Sequence, residues 1–309
     1  MKVEPYRFPK IRTWFGPSSF SALHISREYL YFIKLKRNSY DLEYDSHMKI
    51  RIHLGAISRA GIQNENQLRN ALEEMKKKVG KHRVVLVIPA SSEISGYSLR
   101  EVKREKDVYR KIVAQSGFGV SQVLYEEEAL RAKLTLERRN APEIFVHIGA
   151  REANISLVSK GAVVYSKLSA FGGELLALSI AKTFGISEHD GEVIKNEKGM
   201  KSGADGRVVS IIGQASHILK DDIERAAVSW HEQMKKVSGL REAVSNLTLA
   251  GSESMLPGLE DYLSHALRMR VEYMDVWNGV LDTETHLPAL SRKESLDYAY
   301  AIGGVFSSL

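Results

Sequence analysis

The stretch EIFVHIGAREANISLVSKGAVVYSKLSAFGGELLALSIAKTF, residues 143–184, decides the fold. EIFVHIG, NISLVSKG and AVVYSKLSA are short, rich in β-branched residues and separated by turn signals, the second of them Lys160-Gly161. They read as three successive strands. Gly172-Gly173 then interrupts the pattern, and the apolar period lengthens from two to about 3.6 residues, which predicts a helix over 173–184.

The pattern continues outward from that stretch. Downstream, helices are predicted at 188–198 and over about 205–237, the longer one carrying Val209, Ile212, Ala215, Leu219, Ile223, Ala226 and Trp230 on one face. NLTLAGS (246–252) is a strand entering a Gly/Ser turn, Pro257 opens the next helix, and a Tyr/Ala/Ile/Gly helix is expected over 295–307. Upstream, Asn140-Ala141-Pro142 breaks the chain. Before it the same plan appears once already. FSALHI, YLYFIKLK and YDLEYDSHMKIRI are strands joined at Ser26-Arg27 and Asn38-Ser39. A helix over 64–79 is stopped by Gly80, RVVLVIP (83–89) is a buried strand, a helix covers 101–115, and QVLYEEE leads into a last helix. Three hairpin strands followed by alternating helices and strands is the order of a ribonuclease-H-type half. The first hairpins even share a motif, His24-Ile25-Ser26-Arg27-Glu28 against His147-Ile148-Gly149-Ala150-Arg151-Glu152.

The expected organisation is therefore a basic, aromatic tail at 1–18, one domain from 19–139 with the closing helix 295–309, and a second from 140–294. The tail's Phe8, Trp14 and Phe15 beside Lys2, Arg7, Lys10 and Arg12 are either a loose end or a membrane or partner contact. A chain of 309 residues with 43% hydrophobic and 27% charged residues has the length and composition for two folded α/β domains. It contains no cysteine, which removes disulfide and thiol chemistry and fits a reducing compartment. No apolar run reaches the ~18 residues that span a bilayer, and no export signal opens the sequence, so a cytoplasmic location is expected. The net charge of +6 draws on runs such as Lys76-Lys77-Lys78 and Lys235-Lys236. Such runs are solvated helix faces or would meet an acidic lipid surface, and no nucleic-acid motif accompanies them.

Four stretches carry a family resemblance, among them VVLVIPAS with REKDVYRKIVAQSGFGVSQVLYEEEALRA (84–132), which resembles the corresponding stretch of MreB and PilM. Residues 149–187, GAREANISLVSKGAVVYSKLSAFGGELLALSIAKTFGIS, resemble the second phosphate loop and following helix of PilM, FtsA and MreB. LAGSESMLPGLEDYLSHALRMRVEYMDVW (249–277) is similar to the adenosine loop of those proteins, and SLDYAYAIGGVFSSL (295–309) to the last helix of PilM. The chain is thus identified as resembling PilM-like type IV pilus assembly proteins of the actin-like ATPase superfamily over most of 20–309. The resemblance implies an α/β, two-domain actin-like (ribonuclease-H-type) fold, each half a mixed five-stranded sheet with helices. PilM and FtsA carry an extra subdomain between the strand like 84–89 and the helix like 126–138. Here that gap holds only about 36 residues, room for one helix and short links.

The resemblance also implies a site for ATP or ADP with Mg²⁺. In such a site two phosphate hairpins present backbone N–H groups, and an aspartate at each organises the ion through water. This sequence departs from that pattern. His24 and His147 stand where the two aspartates are expected, and Ser26 replaces a glycine. Gly149 is kept, while Arg151 and Glu152 fill small-residue positions. In the adenosine loop Gly251 is kept, but Ser252 and Glu253 replace glycines, and Glu253 adds bulk. Imidazole is a poor magnesium ligand and two histidines alone do not make a zinc site, so no metal site is expected. Gly172 and Gly173 can offer N–H groups to an anion at a helix start. Arg27 and Arg151 can supply positive charge, or form exposed salt-bridged turns. Glu192 and Lys195 match positions that touch ribose and adenine, and Glu127 an acidic position that orders the attacking water in active relatives. No catalytic residue is assigned beyond that candidate.

The sequence therefore predicts a cytoplasmic actin-like scaffold, with an inactive or degenerate ATPase site, on the inner face of the membrane. It would serve a type IV pilus or a related competence or secretion platform. Its expected partner is a PilN-like bitopic membrane protein or another platform component, with peripheral membrane contact only, and homo-oligomers are also compatible. The alternative is an active ATP-binding cytoskeletal or division protein of the FtsA/MreB type.

Overall fold

A computed structural model describes residues 19–38, 41–89, 99–136, 141–201, 203–238, 243–281 and 288–308. The 1–18 tail lies outside them. Among the described residues the chain divides into two compact units. One is drawn from Met1–Glu137, Asp275–Ser291 and Tyr298–Leu309, the other from Arg138–Met274 and Arg292–Asp297.

In the first unit β1 (Ser19–Ile25), β2 (Tyr29–Asn38), β3 (Asp41–Arg51), β6 (Arg83–Ile88) and β7 (Gly119–Tyr125) form a sheet in the order β3-β2-β1-β6-β7. The hairpin strands pair antiparallel and β1-β6-β7 run parallel. Two short strands, β4 (Ile57–Ser58) and β5 (Gly61–Ile62), make a separate hairpin too brief to leave a period in the sequence. Edge strand β3 carries a bulge. Lys34 pairs with Ser46 and Leu35 with Tyr44, which leaves Asp45 extra, and its carboxylate takes Lys34 at 2.9 Å and Lys36.

Helix α1 (Glu65–Val79) starts where the Asn64 side chain accepts from the Gln67 N–H and stops at Gly80, whose φ of 85° suits glycine. With α2 (Leu99–Gln115) it covers the sheet face bearing Leu23, Leu30, Phe32 and Leu86, burying Leu68, Leu72, Met75, Tyr109, Ile112 and Val113 in one core. The opposite face is covered by α3 (Glu126–Leu136) and α9 (Ala299–Phe306). A Cβ on Gly303 of α9 would lie 2.2 Å from the Ala129 carbonyl of α3, so only glycine permits this helix contact.

The second unit repeats the plan. Strands β8 (Glu143–Ile148), β9 (Ala153–Ser159), β10 (Ala162–Ser169), β11 (Asn246–Ala250) and β12 (Arg270–Tyr273) lie in the order β10-β9-β8-β11-β12. Helices α4 (Gly173–Phe184), α5 (Glu188–Lys198), α6 (Gly206–Ser238) and α7 (Leu259–Leu267) complete it, and Ile212, Leu219, Ile223, Ala226 and Trp230 of α6 enter its core. β12 is too short for a legible alternation.

Two boundaries differ from expectation. The closing helix over 295–307 is two helices, α8 (Arg292–Asp297) and α9, separated at Tyr298. α8 packs with the second unit, and the described residues of 275–291 with the first. Helical periodicity identifies an apolar face, but not which sheet will receive it.

Candidate nucleotide site

In the second unit the residues singled out from the sequence converge. The β8–β9 hairpin closes with the Gly149 N–H donating to the Glu152 carbonyl at 2.9 Å. Helix α4 begins on that turn. The Gly173 N–H donates to the Gly149 carbonyl (3.2 Å) and the Glu174 N–H to that of Ala150 (2.7 Å). A Cβ on Gly172 would fall 2.4 Å from the Arg151 backbone. These glycines therefore weld the helix start to the hairpin. The Gly173 N–H, expected to face an anion, is already bonded within the chain. The Arg151 guanidinium lies 3.4 Å from the Glu174 carboxylate on the first turn of α4, so its charge is engaged locally.

The turn after β11 closes the other side. Gly251 has φ of 80°, and a Cβ there would lie 2.1 Å from the Ile148 carbonyl. Residues Ser252–Met255 form a 3₁₀ turn. It is pinned by α8, since the Gly251 N–H donates to the Leu296 carbonyl (3.1 Å) and the Ser252 N–H to the Asp297 carboxylate (2.6 Å). The Glu253 side chain passes directly over Gly173, where a Cβ would meet its carboxylate at 1.8 Å. There it accepts from the Lys195 ammonium at 2.6 Å. Lys195, on α5, is fully buried and also holds Glu192 at 2.9 Å, and Glu192 in turn accepts from Asn196 (2.8 Å). An ammonium taken out of water costs several kcal/mol unless it is paired, and two carboxylates meet that need here. The cluster makes Glu192 and Lys195 partners of each other and of Glu253.

His147 sits on β8, paired in register with Asn154 and Ala250, and is buried.

In the first unit His24 is next to last in β1 and is fully buried. Its Nε2 lies 2.7 Å from a Glu126 carboxylate oxygen at the start of α3. The ring stacks on Tyr31, with centroids 5.5 Å apart, and meets Tyr300 edge-on at 5.3 Å. Glu126, next to the predicted Glu127, is the residue that sequence reading missed, because only the fold brings it to His24. Glu127 is itself buried. Ser26 organises its own turn, its hydroxyl accepting from the Tyr29 N–H at 2.9 Å and the Glu28 N–H at 3.2 Å. Arg27 follows it at the tip of the same turn.

Tested within each unit, this donor set does not suit a magnesium ion. The expected carboxylates are imidazoles, both buried, and one is committed to Glu126. Among the described residues no group of three or more His, Asp or Glu side chains could hold a metal ion. No helix there is long and apolar enough to cross a membrane.

Comparison with known proteins identifies the fold and the family. No curated protein matches the sequence. Among solved structures, one described as the PilM-PilN type IV pilus biogenesis complex matches with a TM-score of 0.68 at 14% identity, covering 93% of this chain and 98% of that one. MreB5 of Spiroplasma citri bound to ADP matches with a TM-score of 0.59 at 11% identity, covering 92% and 94%. Ethanolamine utilization protein EutJ from Carboxydothermus hydrogenoformans matches with a TM-score of 0.55 at 16% identity, covering 95% and 92%. These likenesses show the two-domain actin-like ATPase fold. A family model, Type IV pilus assembly protein PilM, matches residues 111–308, more than half of the sequence. The chain belongs to the PilM family of type IV pilus assembly proteins.

Proposed function

We propose that this protein is an actin-like scaffold of a type IV pilus, or a related competence or secretion, assembly platform. It works on the cytoplasmic side of the membrane, held there by a PilN-like bitopic protein, and its nucleotide site no longer turns over ATP. The family match supports the pilus assignment. The solved complex with PilN, on the same fold, supports the kind of partner. The observation that carries the loss of turnover is the Lys195–Glu253–Glu192 cluster. It engages within the protein the side chains that a nucleotide would need. The His24–Glu126 pair supports the same reading, because the position expected to organise magnesium holds a buried imidazole.

Two measurements test this. Titration calorimetry with ATP and ADP, with and without magnesium, is expected to give no magnesium-dependent binding, and micromolar magnesium-dependent affinity would overturn the inactive-site reading. Affinity purification from membranes of the native host is expected to recover a single-span pilus-platform protein. Recovery of none would remove the scaffold reading.

A further inference from the structure

Helix α2 has two different faces. Inward, Tyr109, Ile112 and Val113 are buried in the core of the first unit. Its flanks are committed as well. Lys106 holds Glu128 at 2.5 Å and lies over the Tyr125 ring, while Glu105 accepts from the Tyr125 hydroxyl at 2.7 Å. The outward arc is different. Lys103, Arg104, Arg110 and Lys111 fall on it at helical spacing and are exposed, against one carboxylate, Asp107. None of these four cations forms an ion pair among the described residues. Between them Val108 is 44% exposed, one of few large apolar side chains so open to solvent. Lys103, Arg104, Asp107, Val108 and Lys111 line a shallow depression of about 410 Å³. The basic surface continues toward α1. Arg69 of α1, itself paired with Glu65, reaches Gln115, and the Lys76 side chain lies over Gly117 just beyond the end of α2.

We infer that the outer face of α2 is a docking surface for an anionic lipid headgroup layer. Four unpaired cations on one arc complement a negative surface that needs no matching pocket, and each basic side chain near such a surface adds to attraction. An exposed valine among them suits the headgroup boundary, where its apolar surface leaves water while the longer side chains stay with the phosphates. A nucleic acid would use the cations but has no use for Val108, and an acidic protein that used both would leave the vesicles unbound. The inference deepens the proposed function, since it rests on the protein working beside a membrane, and it names a surface that acts independently of any protein partner.

The test is flotation of the purified full chain with vesicles of phosphatidylcholine alone, or with about a third of phosphatidylglycerol at low ionic strength. Binding is expected to the anionic vesicles only. It should weaken at high salt, as screening shortens from about 10 Å at 0.1 M to about 3 Å at 1 M. The triple variant K103E/R104E/K111E should lose more than about tenfold of the bound fraction. A control with the same charge change elsewhere, K182E/K198E/K235E, should retain most of it. Val108→Ser should lower vesicle binding while leaving retention on heparin unchanged. Circular dichroism checks that each variant is folded. Equal loss in both triple variants, binding to heparin or DNA without binding to vesicles, or no binding to either vesicle would overturn the inference. A membrane partner recovered with vesicle binding absent would leave the scaffold reading standing and remove this one, while vesicle binding with no partner recovered would do the reverse.

Discussion

The ammonium of Lys195 lies 2.6 Å from the carboxylate of Glu253, 58 residues further along the chain, and that carboxylate rests over the Cα of Gly173. Three separate elements thus meet on one fully buried cation, which Glu192 also holds from the preceding turn of the same helix.

This cluster is expected to be strongly coupled. Glu253→Ala should destabilise the protein by about 1–3 kcal/mol, since it removes one of the two carboxylates on a buried charge. Lys195→Met should cost a similar amount by leaving two carboxylates facing each other. The double variant should fall short of the sum by about 1 kcal/mol or more, measured by urea unfolding. Strict additivity would mean that the pair is not formed in solution.

Placing an aspartate at position 24, next to last in β1, is expected to harm the fold. His24→Asp would set a second carboxyl close to Glu126 in a buried position, where like charges and burial both raise the pKa of the pair. A folded-state pKa raised above its unfolded value gives stability that is present at low pH and lost as pH rises. The variant should therefore show a larger fall in Tm from pH 5 to pH 8 than the parent, and a pH-independent difference would contradict the pairing.

Asp222 gives an acid-side prediction of the opposite sign. Burial tends to raise its pKa, but hydrogen bonds from Lys167 at 2.8 Å and Arg225 at 2.5 Å outweigh that and hold it down to about 2, from an ordinary 3.8. The stability this lends to the second unit is present above about pH 4 and lost as pH falls through 2. Asp222→Asn should lower Tm at pH 7 and flatten the dependence between pH 4 and 2, as thermal unfolding followed by circular dichroism will show.

Gly303→Ala tests the packing of α9 on α3. The added methyl would meet the Ala129 carbonyl at 2.2 Å, so the helices must separate, at an expected cost of about 1–3 kcal/mol. Gly213→Ala, on α6 with nothing within 4 Å of the new methyl, should be neutral or stabilise by up to about 1 kcal/mol. Chemical denaturation of the two variants side by side checks both.

Much of the architecture was legible in residue order. The switch from period two to period 3.6 within residues 143–184, and its earlier counterpart, determined two sheets that each open with a three-strand meander. Gly80 marked a helix end, because a positive φ is a local property of the backbone. That His24 and His147 stand where the family resemblance leads one to expect aspartates was equally visible, since it concerns residue type alone. What tertiary structure decided was partnership. His24 turned inward to Glu126, not to the emphasised Glu127, because α3 begins beside β1 and one residue of helix rotates a side chain by about 100°. Lys195 and Glu253 paired because α5 and the turn after β11 close over Gly173. The chain from 292 to 306 split between two units at Tyr298, although its composition is continuous. Periodicity reports that a face is apolar, or that a charge exists. Burial removes water from specific pairs of groups, and only the folded backbone determines which pairs those are.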